Sequence, residues 1–595
     1  MIENMKKLTL LVPDKDRDRF LSRLRKAGVL HIKHVKEPVS HEVDYIDNRL
    51  QKIGRMVETL SEYYEEDKAL KDGMDHEKQV WDCCLQVEAT VRDLKEVNAQ
   101  MEALQAELAW YSEWGAADPE DIAKIEKTGI KTALYKLSSK DHAAVADRDD
   151  IHLLHKKNGL YYVILISAGE PDLRFEKVDM PERSPEQINA RMDDLNNRRH
   201  VLTSSLREKA RHMRAFRHCR DKLASEKEFV QVRSGMKGEE GFSYMQGFCP
   251  EKHTGRVTAM IKEEGAGYLI EDPDDTDHPP TLITNPAWIR IIDPVFKFMN
   301  TLPGYREYDI SPYFLIFFSV FFAMLIGDAG YGTLFLGVTW VLRRKFKKAP
   351  AQPFFLMYLL SVCTMIWGAI TGTWFGIEKV AELPFFNALV IPQIDSFSSR
   401  SQNSVIFICF VIGAVQLSIA RIIKVARYIN SPLAVAEAGW VFILWGMFFA
   451  AGRFVLGRVF PSFAFWLLGG GILMVLFFSD PRKGWIKGAL STLADLPLSV
   501  IGSFSDIVSY LRLFAVGYAS VVVAQSFNNM AVGGGVDSIA GSLMAALVLF
   551  LGHALNIILG FMAVIVHGIR LNMLEFSGHL GMQWTGKKYD PFRSK

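Results

Sequence analysis

Along the first 300 residues, apolar positions recur at short, patterned intervals. Leu8 to Val12 reads as a strand, Asp14 is placed to cap a helix through about Lys26, Gly28 to end it, and Val29 to Val35 to form a second strand. This opening predicts a small α/β lobe. From Val43 the pattern changes to Val43, Ile46, Leu50, Ile53, Val57 and Leu60, spacings of 3 and 4 that mark a coiled-coil seam. Leu94, Val97, Met101, Leu104 and Leu108 continue it. Strand-like stretches follow at 131–137 and 160–167. A second long helix is then expected from Ser184-Pro185, with Ile188, Met192, Leu195, Leu202, Leu206, Met213, Phe216 and Leu223 as its seam. Two such helices around a short α/β segment predict an antiparallel stalk with a lobe at its turn; an ordinary helical bundle is the alternative.

Beyond residue 300 the pattern is one of long apolar runs. A helix needs about 20 residues to span about 30 Å of hydrocarbon. Spans are predicted near 311–326, 331–342, 354–374, 404–423, 437–456, 463–478, 493–530 and 538–575. The last two are long enough to tilt steeply. Eight spans leave both termini on one side. The expected architecture is mostly α: a cytoplasmic arm, 1–300, of antiparallel coiled coil with small α/β lobes, and an eight-helix transmembrane domain, 301–595.

Charge sharpens this division. Residues 1–300 hold 47 basic and 54 acidic side chains; residues 301–595 hold 22 and 13, about 12% of their length. A water-soluble domain of that size carries far more charge. A purely soluble enzyme, a disordered scaffold and a nucleic-acid binder working through a basic face are therefore excluded. Loops assigned to the cytoplasm carry fifteen cations: Arg343, Arg344, Lys345, Lys347, Lys348, Arg421, Lys424, Arg427, Arg482, Lys483, Lys487, Lys587, Lys588, Arg593 and Lys595. The opposite loops carry four, Lys379, Arg400, Arg453 and Arg458, a positive-inside bias that places the first half in the cytoplasm. The Leu8–Pro13 run is too short for a signal peptide. Six cysteines show neither metal-ligand spacing nor a disulfide framework, and no Gly-x4-Gly-Lys-Ser/Thr loop occurs, so the chain has no P-loop signature for hydrolysing nucleotide.

Candidate chemistry lies where the lipid rule is broken. Between Asp506 and Asp537 the only charged residue is Arg512, and between Asp537 and Arg570 there is none. An arginine at mid-bilayer costs about 2.5–3.5 kcal/mol on insertion scales and does not lose its proton. It is either a functional cation or one paired to a neighbouring carboxylate for packing. His553, Asn556, Gly560, Ala563, His567 and Arg570 fall at helical spacing on the last span, and Asp495, Ser499, Gly502, Asp506 and Ser509 on the seventh, below Arg512. Each stripe predicts a hydrated path into the bilayer, while its Ser and Gly members also suit close helix packing. Asp328 is read as a turn and cap, Glu378 and Glu437 as interfacial, and His31 with His34 as a poor metal site.

Taken together these segments resemble subunit a, called subunit I in prokaryotes, of the V-type and archaeal-type rotary ATPases. The resemblance is carried by Ser509-Tyr510-Leu511-Arg512-Leu513, His567-Gly568-Ile569-Arg570-Leu571, Glu575-Phe576 and Asp590-Pro591-Phe592. Gly247-Phe248-Cys249-Pro250, Pro280-Thr281 with Asn285, Pro303–Asp309, Gly327–Gly332 and Thr373–Gly376 extend it along the chain. The resemblance implies that Arg512 faces a rotating c-ring of proteolipid chains, makes each ring carboxylate release its ion, and blocks leakage between two offset half-channels. Arg570 would assist. The arm would carry peripheral-stalk subunits E and G/H and neighbour the C/d component of the central stalk, in a prokaryotic plasma membrane. The chain itself would need no cofactor, and ATP chemistry would belong to other chains. Some relatives carry glutamates about a dozen residues before the first arginine and ten before the second; Leu498-Ser499 and Gly560 stand there, and Val516-Gly517-Tyr518 replaces a leucine-rich continuation. Asp506, Glu575, His567 and water are then the candidates to serve the half-channels of H+ or Na+. The rival is a self-contained secondary transporter with a cytoplasmic regulatory coiled coil. It predicts two repeated halves, and no internal repeat is found.

Overall fold

A computed structural model of the chain describes residues 1–65, 77–114, 119–145, 148–169, 174–239, 241–398, 401–479, 485–533 and 539–593. Arg400, Arg482, Lys483, Asp537 and Lys595 lie outside the described residues. The chain divides into two compact units. One comprises Thr9–Gly247, Ala259–Tyr268 and Phe592–Lys595; the other comprises Met1–Leu8, Phe248–Thr258 and Leu269–Pro591.

The opening strand, Met5–Pro13, is followed by the helix Arg17–Ala27, which Gly28 ends in the left-handed conformation at φ 63°. The short strand His31–Lys33 is not its neighbour. Phe242–Pro250 lies between them, giving the spatial order His31–Lys33, Phe242–Pro250, Met5–Pro13, Gly267–Glu271. The lobe read at the start of the chain is thus completed by residues more than 200 positions away.

The first unit is built around four long helices. His41–Ser61 and Glu77–Trp114 run one way, and Pro185–Ala210 and Met213–Ser234 return against them. Ser40 caps the first, its hydroxyl accepting from the Val43 N–H, and Ser184 with Gln187 closes a reciprocal capping box on the third. The expected single returning helix is interrupted at Arg211 and His212. Val43, Ile46, Ile53, Val57 and Leu60 are buried against Leu206, Met213, Phe216 and Leu223, together with Cys83, Cys84 and Cys219. Val97, Met101 and Leu104 bury against Ile188 and Leu195 farther along. Ion pairs at the edges keep the antiparallel register: Lys227 to Asp47 at 2.6 Å and Arg183 to Glu107 at 3.1 Å. At the turn sits an antiparallel sheet ordered Ile151–Lys157, Leu160–Ser167, Lys131–Ser138, Lys177–Val178. Its first hairpin turns on Asn158-Gly159, both at positive φ (50° and 79°), the conformation a two-residue turn needs to match strand twist.

In the other unit helices cover the expected span positions, but by length and composition five of the described helical stretches could cross a membrane, or six if one bent pair is a single span, against the eight expected. Among the described residues, five helical stretches are long and apolar enough to cross a membrane: Ala351–Ile370, Gln402–Arg427, Leu433–Leu456, Thr492–Ala531 and Ile539–Leu580. Ser311–Ile326 and Ala329–Lys345 form a pair bent by 118°, and Ser462–Phe478 is shorter. The seventh stretch is not continuous: it breaks at Tyr510, between Trp485–Ser509 and Leu511–Gly533. The eighth passes through wide π-turns at Val564–Gly568 and Leu571–Phe576. Gly327 (φ 68°) and Asp328 make the tight bend. Asp328 is buried, and its carboxylate accepts the N–H groups of Gly330 (2.7 Å), Tyr331 (3.2 Å), Phe375 (2.9 Å) and Gly376 (3.0 Å). It is the expected helix cap, and it also fastens the loop at 373–376 to the bend.

Two outcomes follow from this packing. Burial raises the Cys83 and Cys219 thiols and pushes Cys84 up to about 12. An unfolded thiol titrates near 8.5, so these contacts favour folding below that pH and weaken as pH rises toward the folded value. Iodoacetamide at pH 8.5 is expected to leave the three thiols unmodified by mass spectrometry until the protein is unfolded; rapid native labelling would contradict the packing. Asp328→Ala leaves four donors without their acceptor, at about 1–3 kcal/mol each when buried. Its melting temperature in mild detergent is expected to fall by roughly 10 °C or more, with Asp328→Asn in between; unchanged melting would contradict the role of the bend.

Candidate functional site: polar chains among the membrane helices

Tyr510 sits where the seventh helix breaks. Its N–H turns back to the Ile507 carbonyl (3.2 Å), and its fully buried ring packs on Gly413, where any Cβ would collide with it. Its hydroxyl donates to Gln416 Oε1 (2.8 Å), Gln416 donates to Asn572 Oδ1 (2.9 Å), and Asn572 donates to the Gly568 carbonyl (3.2 Å). This last acceptor lies in the first π-turn, so the chain of amides satisfies a carbonyl of distorted helix inside an apolar core.

The next turn presents Arg512. Its Nη2 lies 3.7 Å from Glu575 Oε1, on the second π-turn, with side-chain exposures of 22% and 6%. Arg512 Nη1, Glu575 Oε2 and His567 Nδ1 are buried without a hydrogen-bond partner. Arg512 and Glu575, expected from sequence as site residues, are thus brought together. They form a loose ion pair with capacity left on both sides.

The stripe expected on the last span is unevenly buried. Asn556 and Gly560 are buried, His553 and His567 are half-buried, and Arg570 is exposed. Each π-turn takes about one more residue than an α-turn and so rotates everything after it. Asn556 donates to the Tyr331 hydroxyl (3.0 Å) and the Ser520 carbonyl (2.9 Å) and accepts from the Ser520 hydroxyl (3.1 Å). His553 bonds the Tyr331 hydroxyl through Nδ1 (2.8 Å) and Asn528 Oδ1 through Nε2 (3.1 Å), and Asn528 donates to the Phe375 carbonyl (2.8 Å). This second chain ends on the loop that Asp328 fastens.

On the seventh stretch, Asp495 and Ser499 are exposed, the Ser499 hydroxyl donating to the Asp495 carbonyl (3.0 Å), while Ser509 is half-buried at the helix end. Asp506 belongs to a third chain. His579 Nε2 meets Asp506 Oδ2 at 2.9 Å, Arg421 Nε donates to His579 Nδ1 at 3.1 Å, and Arg421 Nη1 donates to Glu437 at 2.8 Å. Lys424 also pairs with Glu437. Arg421 and Lys424, expected as loop cations, therefore lie within the helix Gln402–Arg427, mostly buried against a carboxylate expected at the interface. The helix runs to Arg427, about a turn past the predicted end of the span, and Glu437 from the next helix receives two of its cations.

Tyr331, Gln416, Asn528, Asn572 and His579 join these chains without belonging to the charges or stripes that the sequence singles out. Single amides inside apolar runs were the available signal. Among the described residues no cluster of three or more His, Cys, Asp or Glu could hold a metal ion.

No family model matches the chain. Full-length relatives do. It is 30% identical over 616 residues to V-type ATP synthase subunit I of Borreliella burgdorferi (strain ATCC 35210 / DSM 4680 / CIP 102532 / B31), covering 100% of this chain and 99% of that one. It is 28% identical over 629 residues to V-type ATP synthase subunit I 1 of Treponema pallidum (strain Nichols), covering 100% of both. A-type ATP synthase subunit I of Methanocaldococcus jannaschii is 24% identical over 391 residues, 59% of this chain and 55% of that one. With its apolar helices broken just before Arg512 and its identity to the first of these relatives running from end to end, this multi-pass membrane protein belongs to the V-type/A-type ATP synthase subunit I family.

Proposed function

We propose that the chain is the ion-translocating membrane stator of a V/A-type rotary ATPase, in which Arg512 is the fixed cation past which ring carboxylates move. The observation that carries this reading is the Arg512–Glu575 pair: a permanent charge in an apolar unit, held 3.7 Å from its own carboxylate, with Nη1 unpartnered. A second carboxylate arriving from a proteolipid ring meets a guanidinium that is 22% exposed and not saturated by its own carboxylate, so a charge-assisted bond can form. In low-dielectric surroundings that bond favours the ionised form, so the arriving group gives up its H+ or Na+. Glu575 limits the attraction, because a cation paired elsewhere binds a passing anion less tightly and releases it again. Uninterrupted attraction would stall rotation. The exposed Arg570 lies one turn before Glu575 on the same helix and adds positive potential there.

The same reading assigns eight membrane crossings, cytoplasmic termini, and a 1–300 arm that carries peripheral-stalk subunits E and G/H and meets the C/d component of the central stalk. ATP is made or spent on other chains. The 301–595 portion then works in the prokaryotic plasma membrane as the fixed side of the ion path.

Arg512→Ala is expected to reduce ATP-driven ion uptake in inside-out vesicles at least tenfold, with the assembled complex recovered in normal amount. Arg512→Lys is expected to restore little, since a compact ammonium lacks the planar fork that serves two carboxylates at once. Uptake at the wild-type rate by Arg512→Ala would overturn the proposed function.

A further inference from the structure

The chain of contacts at Asp506 does more than neutralise charge. Arg421 Nε carries a hydrogen and has no lone pair to offer, so at 3.1 Å His579 Nδ1 is the acceptor. The imidazole proton is therefore on Nε2, where it is donated to Asp506 Oδ2 at 2.9 Å. Arg421 cannot easily turn away: Nη1 is held by Glu437 at 2.8 Å, and the guanidinium lies 5.0 Å from the centre of the Trp440 ring. His579 is 6% exposed, whereas the Asp506 side chain is 35% exposed. One carboxylate oxygen is thus engaged from the protein side, while the side chain stays open on the other. Asp506 is six residues before Arg512, on the other side of the helix break at Tyr510. The charged groups around it are Arg421, Lys424 and Glu437 beyond His579, and Glu575 with Arg512 past Tyr510.

We infer that Arg421 and His579 are positioning residues that hold Asp506 as the ion-accepting carboxylate on the path to Arg512, with His579 a fixed neutral donor and not itself a proton carrier. The inference rests on the stator reading above and adds to it the way one access carboxylate is oriented. Protonating His579 would require Nδ1 to give up its bond to Arg421, placing two cations face to face in a buried site. The carrier role therefore falls to Asp506.

Glutamine separates the two roles of His579, since its amide can donate to Asp506 and accept from Arg421 but does not titrate. In vesicles carrying the whole complex, with uptake followed by an acid-sensitive dye or by radioactive sodium, His579→Leu is expected to lose about tenfold in initial rate. His579→Gln is expected to recover most of it. Asp506→Asn is expected to lose as much as His579→Leu, and the double variant no more than either alone, because both act through one carboxylate. Should His579→Leu fail to assemble, Arg421→Met makes the same test by freeing Nδ1, with Glu437 still paired to Lys424. Wild-type uptake by His579→Leu or Arg421→Met, a glutamine variant as impaired as leucine, or losses that multiply in the double variant would each overturn the inference. Arg512→Ala, run alongside, separates the two levels: if it pumps, the stator reading falls, and if it is silent while His579→Leu pumps normally, only the positioning role falls.

Discussion

The carboxylate of Asp328 accepts four backbone N–H groups from two separate stretches of chain. In an apolar unit such donors have no water to turn to, so this one side chain decides where the bend at 327–328 and the loop at 373–376 lie. Other elements are built on that junction. Gly517, on the helix that carries Arg512, passes so close to the Met324 carbonyl that no side chain fits, and Gly376 packs in the same way on Ala524. Gly368 approaches the backbone of Ala329. Close backbone contact of this kind is how helices associate when the surrounding solvent is as apolar as they are.

The same constraint explains why the remaining polar side chains form chains and do not stand alone. A buried amide or hydroxyl costs stability unless it is matched, and each match recruits another group. Tyr510, Gln416 and Asn572 end on a carbonyl exposed by a π-turn, and Asn556, Tyr331, His553 and Asn528 end on the Phe375 carbonyl. The first π-turn is thus satisfied by a side chain, and the second carries Glu575 beside Arg512. Against this pairing, Arg512, Glu575 and His567 keep buried polar atoms without a partner, as does Ser418 Oγ on another of the apolar helices.

Much of this was legible in the sequence because it depends on local pattern or on composition. The 3–4 spacing from Val43 to Leu60 determines which helix face is buried whatever partner covers it, and the apolar runs after residue 300 need only a count. The rank of Arg512 came from scarcity of charge, and Asp328 was readable as a cap because capping is a matter of adjacent residues. The strand Ile151–Lys157 is hard to read from sequence, although Asn158-Gly159 marks its hairpin, because its alternation is weak and its faces are mostly half-exposed.

Tertiary structure decided what depends on partners distant in sequence. That Phe242–Pro250 enters the sheet between Met5–Pro13 and His31–Lys33 follows from pairing across more than 200 residues, which no local pattern encodes. Arg421 and Lys424 look like loop cations until Glu437 arrives from the next helix, and no sequence pattern marks His579, which lies between Arg421 and Asp506. Along the helical stripe from His553 to Arg570 burial runs from the buried Asn556 to the exposed Arg570, across a π-turn that a uniform periodicity does not contain. Where π-turns intervene, the identity of the site residues is written in the sequence, but the face they share is set by packing.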